Sequence, residues 1–145
     1  MILKPKIGTD KLQFGMKQND VISIIGNPDK QFNDDEKNII FLYNELKLRL
    51  TFYEDEQFRF GYLISSNPDL VVFDSKIIGL GGLEVKNELI EKDIKSWEQE
   101  DFDSTENYFN ESNWLTLQVE FGIIIRVEIG AIINDNDEFD WKFKG

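Results

Sequence analysis

Two residue types that carry much of protein chemistry are missing from this chain. None of its 145 residues is a cysteine or a histidine. The absence of cysteine excludes disulfides, thiolate metal ligands and thiol nucleophiles, and the absence of histidine removes the commonest general base and most zinc sites. A nucleophile elbow, a phosphate-binding loop and a dinucleotide-binding fingerprint are absent as well. We therefore predict a protein that is not an enzyme and that holds no metal ion and no cofactor.

Basic residues are scarce relative to acidic ones. Sixteen Lys and Arg face 28 Asp and Glu, which gives a formal net charge of −12. Nucleic acids and anionic membranes attract an excess of positive charge, so neither is an expected partner, whereas a basic protein is. Long apolar runs are also lacking, since no segment approaches the roughly 18 residues of a membrane span and the N-terminus carries no secretion signal. These features predict a cytoplasmic protein.

An internal repeat with an offset of about 69 residues is the strongest architectural signal. Segments 46–52 and 115–121 share the same alternation of apolar and polar residues, and Gly15-Met16 and Gly82-Leu83 precede them as helix openings. Repeats of this kind determine architecture. We predict an α+β fold in one domain, residues 1–145, made of two tandem repeats at about 9–73 and 74–145. Each repeat is a helix followed by an antiparallel meander, and both helices pack on one face of one extended sheet.

Hydrophobic periodicity locates the elements of this fold. The first helix ends at Gly26 before Pro28, and a second, amphipathic helix covers 83–97. An acidic loop is predicted at 98–106. The predicted strands are 39–43, 46–52, 58–64, 70–73 (a strand or a crossing segment), 108–109, 114–121, 123–133 and 139–143. The last of these reads as an exposed edge strand, which leaves homodimerisation by strand addition open.

The first helical segment resembles a known family signature. Residues 14–16 (Phe-Gly-Met), Val21 and residues 26–29 (Gly-Asn-Pro-Asp) resemble the helical signature of the SmpA/OmlA family of small outer-membrane assembly lipoproteins. Two such units in tandem look like the β-lactamase inhibitor proteins and several small bacterial immunity proteins. The chain lacks the lipoprotein cysteine and the disulfides of the secreted inhibitors. The resemblance therefore implies an intracellular member that binds another protein.

Acidic residues concentrate in the turns of the predicted meanders. In an up-and-down meander, the segment that enters the first strand and the turn between the second and third lie at the same end. This places residues 34–36 beside residues 54–56, with a counterpart within 98–106 at the equivalent end of the other repeat. Aromatic residues next to these acids would anchor an interface. The predicted partner-binding residues are Asp34, Asp35, Glu36, Tyr53, Glu54, Asp55, Glu56, Glu100, Asp101, Phe102 and Asp103.

These observations favour an immunity protein that neutralises a bacterial toxin domain, such as a basic nuclease, by blocking its active site. Two alternatives stay open. One is a non-enzymatic adaptor or assembly protein, and the other is a carboxylate-only hydrolase that uses Glu120 and Glu128. A calcium site in the turn at 134–138 is disfavoured because the turn lacks the central glycine and distal glutamate of an EF-hand loop.

Overall fold

The computed structural model describes all 145 residues and consists mainly of β-strands. It has two short α-helices, α1 (Gln18–Ile25) and α2 (Gly82–Glu91). The twelve strands are β1 (Ile2–Lys4), β2 (Gly8–Thr9), β3 (Lys30–Asn33), β4 (Ile39–Tyr43), β5 (Leu48–Tyr53), β6 (Arg59–Ser65), β7 (Val71–Val72), β8 (Ser75–Lys76), β9 (Trp97–Phe102), β10 (Thr105–Asn110), β11 (Leu115–Glu120) and β12 (Ile123–Gly130). Neither helix has the length and apolarity that a membrane crossing needs.

Eight of the strands form one antiparallel sheet in the order β3-β4-β5-β6-β12-β11-β10-β9. Its centre is the antiparallel pair β6 and β12, in which Ser65 lies opposite Val127 and Tyr62 opposite Gly130. Strands β3 and β9 are the two edges. The sheet therefore has one edge near the start of the chain and one beside α2 in sequence.

The other four strands form a second, smaller sheet in the order β2-β1-β7-β8. Strand β1 runs antiparallel to β2 but parallel to β7, with Leu3 opposite Val72. Leu3, Leu70 and Val72 are buried. This sheet therefore contributes apolar side chains to the same core as the larger one.

The core lies against one face of the eight-stranded sheet. In β5 the alternate residues Leu48, Leu50 and Phe52 are buried, and β11 shows the same period-two pattern. Val21 of α1 and Leu89 of α2 belong to the same cluster of 25 buried residues. We call the opposite face of the sheet, which carries the alternate residues of each strand, the outer face.

The prediction of tandem repeats with helices packed on one face of a single sheet is wrong. The chain is mostly β, its helices have 8 and 10 residues, and a mixed four-stranded sheet accompanies the main one. The segment predicted at 70–73 belongs to that second sheet as β7. Parallel pairing of β1 with β7 joins segments about 70 residues apart, and such a pairing leaves no local sequence pattern. The coarser prediction, an antiparallel sheet accompanied by α-helices, is confirmed.

Three local predictions also need correction. The second helix, predicted to reach residue 97, ends at Glu91, and the predicted acidic loop at 98–106 instead contains most of strand β9 and the start of β10. The segment 139–143 is not an edge strand. Phe139 forms only an isolated bridge with Ile133, and the backbone N–H groups of Lys142 and Phe143 both donate to Phe14 O. Dimerisation through 139–143 therefore lacks the strand on which that prediction was based.

Candidate protein-binding surface

Asn38 ties the first two acidic segments together. Residues 34–36 follow β3, and Glu54–Glu56 forms a 3₁₀ turn between β5 and β6. The buried Asn38 donates from Nδ2 to Asp34 Oδ2 (3.2 Å), and its Oδ1 accepts from the backbone N–H of Glu54 (2.9 Å). The structure thus places the two predicted segments side by side, and one amide side chain holds their spacing.

The same contacts change the ionisation of this corner. Burial acts to raise the pKa of Asp34, but hydrogen bonds from Asn38 and from the backbone N–H of Glu36, together with the charge of Arg49, leave that pKa below its usual value. Burial, followed by the charges of Glu36 and Asp34, raises the pKa of Tyr53 to about 12. The Asp34 carboxylate is therefore charged and the Tyr53 phenol neutral at neutral pH.

Tyr53 is already covered by the chain itself. Its ring stacks on Phe139 with centroids 5.5 Å apart, and Phe139 stacks on Trp141 at 4.7 Å. Gly61 lies beneath the ring, where a Cβ atom would overlap it. As a half-buried member of an aromatic stack, Tyr53 is poorly placed as an anchor for another protein.

The remaining predicted residues lie at the other end of the sheet. Glu100, Asp101 and Phe102 belong to β9, and Asp103 is in the turn to β10. The turns before β4 and β6 lie where β6 begins, whereas the turns before β10 and β12 lie where β12 begins. Because β6 and β12 are antiparallel, these are opposite ends. The structure does not bring the first and second acidic groups together.

A cluster of exposed apolar side chains surrounds this second acidic group. We define the tip surface by its large exposed side chains and their exposed fractions: Phe121 80%, Leu83 56%, Phe102 50%, Leu80 49% and Ile123 42%. Backbone hydrogen bonds join the three segments that carry them. They run from Phe121 N to Ser104 O (3.2 Å), from Gly82 N to Gly122 O (2.9 Å) and from Ile124 N to Leu80 O (2.9 Å).

Phe121 occupies a backbone position that aromatic residues seldom take. It forms, with Gly122, the two-residue turn between β11 and β12, and its φ is 48° while that of Gly122 is 80°. Two positive φ angles are typical of hairpin turns that select Asn, Asp or Gly. The left-handed conformation costs a side-chain-bearing residue about 1–2 kcal/mol. An exposed phenyl ring at such a position points to a function.

Acidic side chains border the tip surface. Glu120 pairs with Ile123, and Glu84 and Glu106 line a shallow pocket of about 430 Å³ together with Leu83 and Gly122. Tyr108 lines the same pocket and donates from its OH to Glu106 Oε2 (2.9 Å). Burial, followed by this hydrogen bond and the neighbouring carboxylates, raises the pKa of Tyr108 to about 12. The tip surface is thus an apolar patch in a negative field.

The carboxylates considered for hydrolysis do not converge. Both carboxylates lie on the outer face. Glu120 is the last residue of β11, whereas Glu128 of β12 lies opposite Thr116, near the start of β11. Four strand residues separate these positions, which is about 13 Å. Tyr62 donates from its OH to Glu128 Oε1 (2.5 Å), so Glu128 already has a hydrogen-bond partner.

The polar turn at 134–138 is organised by its own side chains. Asn134 Oδ1 accepts from the backbone N–H groups of Asn136 (2.9 Å) and Glu138 (3.2 Å). No group of three or more acidic side chains is arranged to hold a metal ion. The structure offers no calcium-binding loop at this turn.

Sequence reasoning missed four of the five residues of the tip surface. The sequence places Leu83 at the start of a predicted helix, Leu80 in the Gly-rich segment before it, and Phe121 and Ile123 at the ends of predicted strands. The usable signal was the pair Phe121-Gly122 between two apolar strands, where Asn-Gly is the expected hairpin sequence. Phe102 is the one predicted residue that belongs to this surface.

Comparisons with known proteins give little beyond the fold. No protein-family model and no curated protein matches this chain. Its structure is similar to that of an extracellular protein containing an SCP domain from Bacillus anthracis str. Ames, with a TM-score of 0.53 and 10% sequence identity. The match covers 81% of this chain and 44% of that chain. At this identity the likeness shows a shared fold alone.

Proposed function

We propose that this chain is an inhibitor that binds another protein through the tip surface. The most specific form of the proposal is an immunity protein that neutralises a toxin domain. The observation that carries it is Phe121, which is 80% exposed on a left-handed backbone at the end of the sheet. Aromatic side chains at the centre of a contact supply much of its binding energy. Contiguous exposed apolar side chains are typical of protein–protein contact sites.

The charge of the molecule supports a basic partner. The net charge is −12, and Glu84, Asp101, Asp103 and Glu120 lie in or next to the segments of the tip surface. Opposite fields accelerate encounter and disfavour wrong partners. The active-site cleft of a nuclease must attract phosphates, so it suits an acidic, apolar-tipped inhibitor. In this proposal the inhibitor blocks access to that cleft and performs no chemistry itself.

Other parts of the hypothesis stay predictions. An adaptor role would use the same surface without inhibiting the partner. The cytoplasmic location is a prediction from the sequence alone. The hydrolase alternative loses support because Glu120 and Glu128 are separated along the sheet.

The test is binding to the product of the adjacent gene, measured as a dissociation constant for wild type and matched variants. Phe121→Ala and Phe102→Ala should each weaken binding by about 30-fold or more, as central aromatic contacts do. Ile24→Ala is the control, since Ile24 is 43% exposed on α1, outside the tip surface. Equal affinity of Phe121→Ala and Ile24→Ala would show that the tip surface is not the contact site. Binding without loss of the partner's activity would favour the adaptor role.

A further inference from the structure

A groove with acidic and aromatic walls runs beside edge strand β9 and shares no residue with the five that define the tip surface. It consists of two adjoining cavities, a cleft of about 760 Å³ and a smaller one of about 280 Å³. Glu98 and Trp114 line both cavities, so the two are neighbours. We call this feature the β9 groove.

The carboxylates of the β9 groove have no positive partner. Glu98, Glu111 and Asp137 line the larger cavity, and Glu100 lines the smaller one. No lysine or arginine lines either cavity. The three ion pairs of the protein use Asp69, Asp93 and Asp140 instead. Four negative charges therefore face one groove without compensation.

Two tryptophans form the aromatic wall and are held in place. Trp97 donates from Nε1 to Ile94 O (2.9 Å), and the Trp114 ring meets Phe109 edge-on with centroids 5.2 Å apart. Trp114 also lies over Gly130, where a Cβ atom would overlap the indole. The face of a tryptophan attracts cations through its quadrupole. A positive group in the groove would meet carboxylates and an aromatic wall together.

Buried acceptors without donors supply an independent indication of the ligand's chemistry. Asn107 Oδ1 and Gln118 Oε1 are buried and have no hydrogen-bond partner. The two residues are cross-strand neighbours on the outer face, and Asn107, which lines the groove, lies opposite Glu100. A buried acceptor left unpaired is costly, so a ligand donor that reaches Asn107 in the groove would satisfy an acceptor that has no partner.

We propose that the β9 groove binds arginine side chains of an extended segment of a protein partner. A guanidinium offers five N–H donors and positive charge in a plane, which matches carboxylates, orphan acceptors and a tryptophan face. As an edge strand, β9 also has backbone groups free to pair with an added strand. On β9, Glu98 and Glu100 alternate onto the outer face, so a paired strand would present every second side chain to them. The preference for a guanidinium is argued from the groove itself. That the guanidinium belongs to a protein partner rests on the proposed function.

The test follows the three tryptophan indole N–H signals in ¹H–¹⁵N spectra during titration with the peptide Ac-Arg-Ala-Arg-Ala-Arg-NH₂. Signals of Trp97 and Trp114 should shift and saturate, while that of Trp141, outside the groove, stays in place as an internal control. The same peptide with citrulline in place of arginine keeps the shape without the charge. Its affinity should be lower by about tenfold or more. Equal binding of the two peptides, or equal shifts at all three indoles, would overturn the proposal.

Variants and a small ligand complete the design. E98Q/E111Q should weaken the arginine peptide about tenfold, whereas E88Q/E91Q on α2, with the same change of net charge, should not. Unchanged affinity in E98Q/E111Q would contradict the site. If argininamide alone binds as tightly as the peptide, the groove serves a free organic cation and the protein segment is excluded. Because the titration uses no natural partner, its failure is distinguishable from loss of partner binding in Phe121→Ala.

Discussion

Phe121 illustrates how one residue can work against the stability of its own turn. Its backbone has φ 48° and its ring is 80% exposed, so the side chain gains little from packing while the conformation remains unfavourable. Asparagine tolerates this conformation and forms the preferred hairpin pair with a following glycine. A residue retained against such a preference is expected at a functional surface.

Phe121→Asn should therefore stabilise the fold and impair binding at the same time. We expect a gain of about 1 kcal/mol in the free energy of unfolding, from relief of the left-handed strain. Urea unfolding followed by circular dichroism measures the gain. Leu83→Asn is the matched control, because it removes another exposed apolar side chain from helical backbone and should give no gain. A destabilised Phe121→Asn variant would contradict the strain argument.

Asn38 is the residue on which the opposite end of the sheet depends. Its side chain accepts from Glu54 N and donates to Asp34, and its own N–H donates to Asp34 Oδ1 (2.9 Å). Asn38→Ala should cost about 1–3 kcal/mol of unfolding free energy, because it leaves buried polar groups unpaired. Asn136→Ala in an exposed turn should cost less than about 0.5 kcal/mol. Similar values for the two variants in thermal or urea unfolding would show that Asn38 does not hold the two loops.

Elements with clear alternation were predictable, and elements without it were not. Strands β5 and β11 carry period-two apolar patterns, and Gly26 ends α1 with a positive φ of 86° as the sequence suggested. Strand β9 was missed because Glu and Asp are depleted in strands, and a solvent-exposed edge needs no apolar face. The alternation in 139–143 was misleading, since Phe139 stacks on Tyr53 and the backbone of Lys142 and Phe143 donates to Phe14 O, without a further strand in the sheet.

Close packing of strand β12 against neighbouring aromatic rings depends on Gly130. A Cβ atom there would overlap Trp114 and press on Tyr62. Gly130→Ala should therefore lower the unfolding free energy by about 1–3 kcal/mol, the usual cost of overpacking. It should also move the indole N–H signal of Trp114, while that of Trp141 stays unchanged. Gly79→Ala is the control for the general effect of replacing a glycine. Its positive φ strains alanine, but no atom lies within 4 Å of the added Cβ, so no aromatic ring is displaced. An unmoved Trp114 signal in Gly130→Ala would contradict the contact.

At the scale of the whole molecule, the eight-stranded sheet places the two acidic groups at opposite ends, which the sequence alone did not predict. Simple meander geometry was enough to place the acids at 34–36 beside those at 54–56. The antiparallel pairing of β6 with β12, which joins the two halves of the sheet, sends the second acidic group to the other end. That pairing links residues about 65 positions apart, so no local pattern announces it. The exposure of the tip surface and the β9 groove follows from this long-range pairing.

All four tyrosines are held neutral by the folded protein, which makes alkaline pH a test of the whole structure. Burial, followed by the charge of Asp29, raises the pKa of Tyr43 to about 12, and those of Tyr53 and Tyr108 are also raised to about 12. Burial and the hydrogen bond to Glu128 raise the pKa of Tyr62 as well. An unfolded tyrosine ionises near pH 10.

Since the folded pKa values exceed the unfolded ones, this contribution to stability is complete below about pH 10 and is lost as the pH rises toward about 12. We expect tyrosinate absorbance at 295 nm to remain low at pH 10 and to rise steeply at higher pH. The rise should coincide with the loss of the far-ultraviolet circular dichroism signal, because unfolding exposes the phenols to ionisation. Tyr43→Phe removes one of these raised groups and should reduce the amplitude of the absorbance change by about a quarter, one tyrosine of four. A gradual titration centred near pH 10 with the dichroism signal intact would contradict the burial of these side chains.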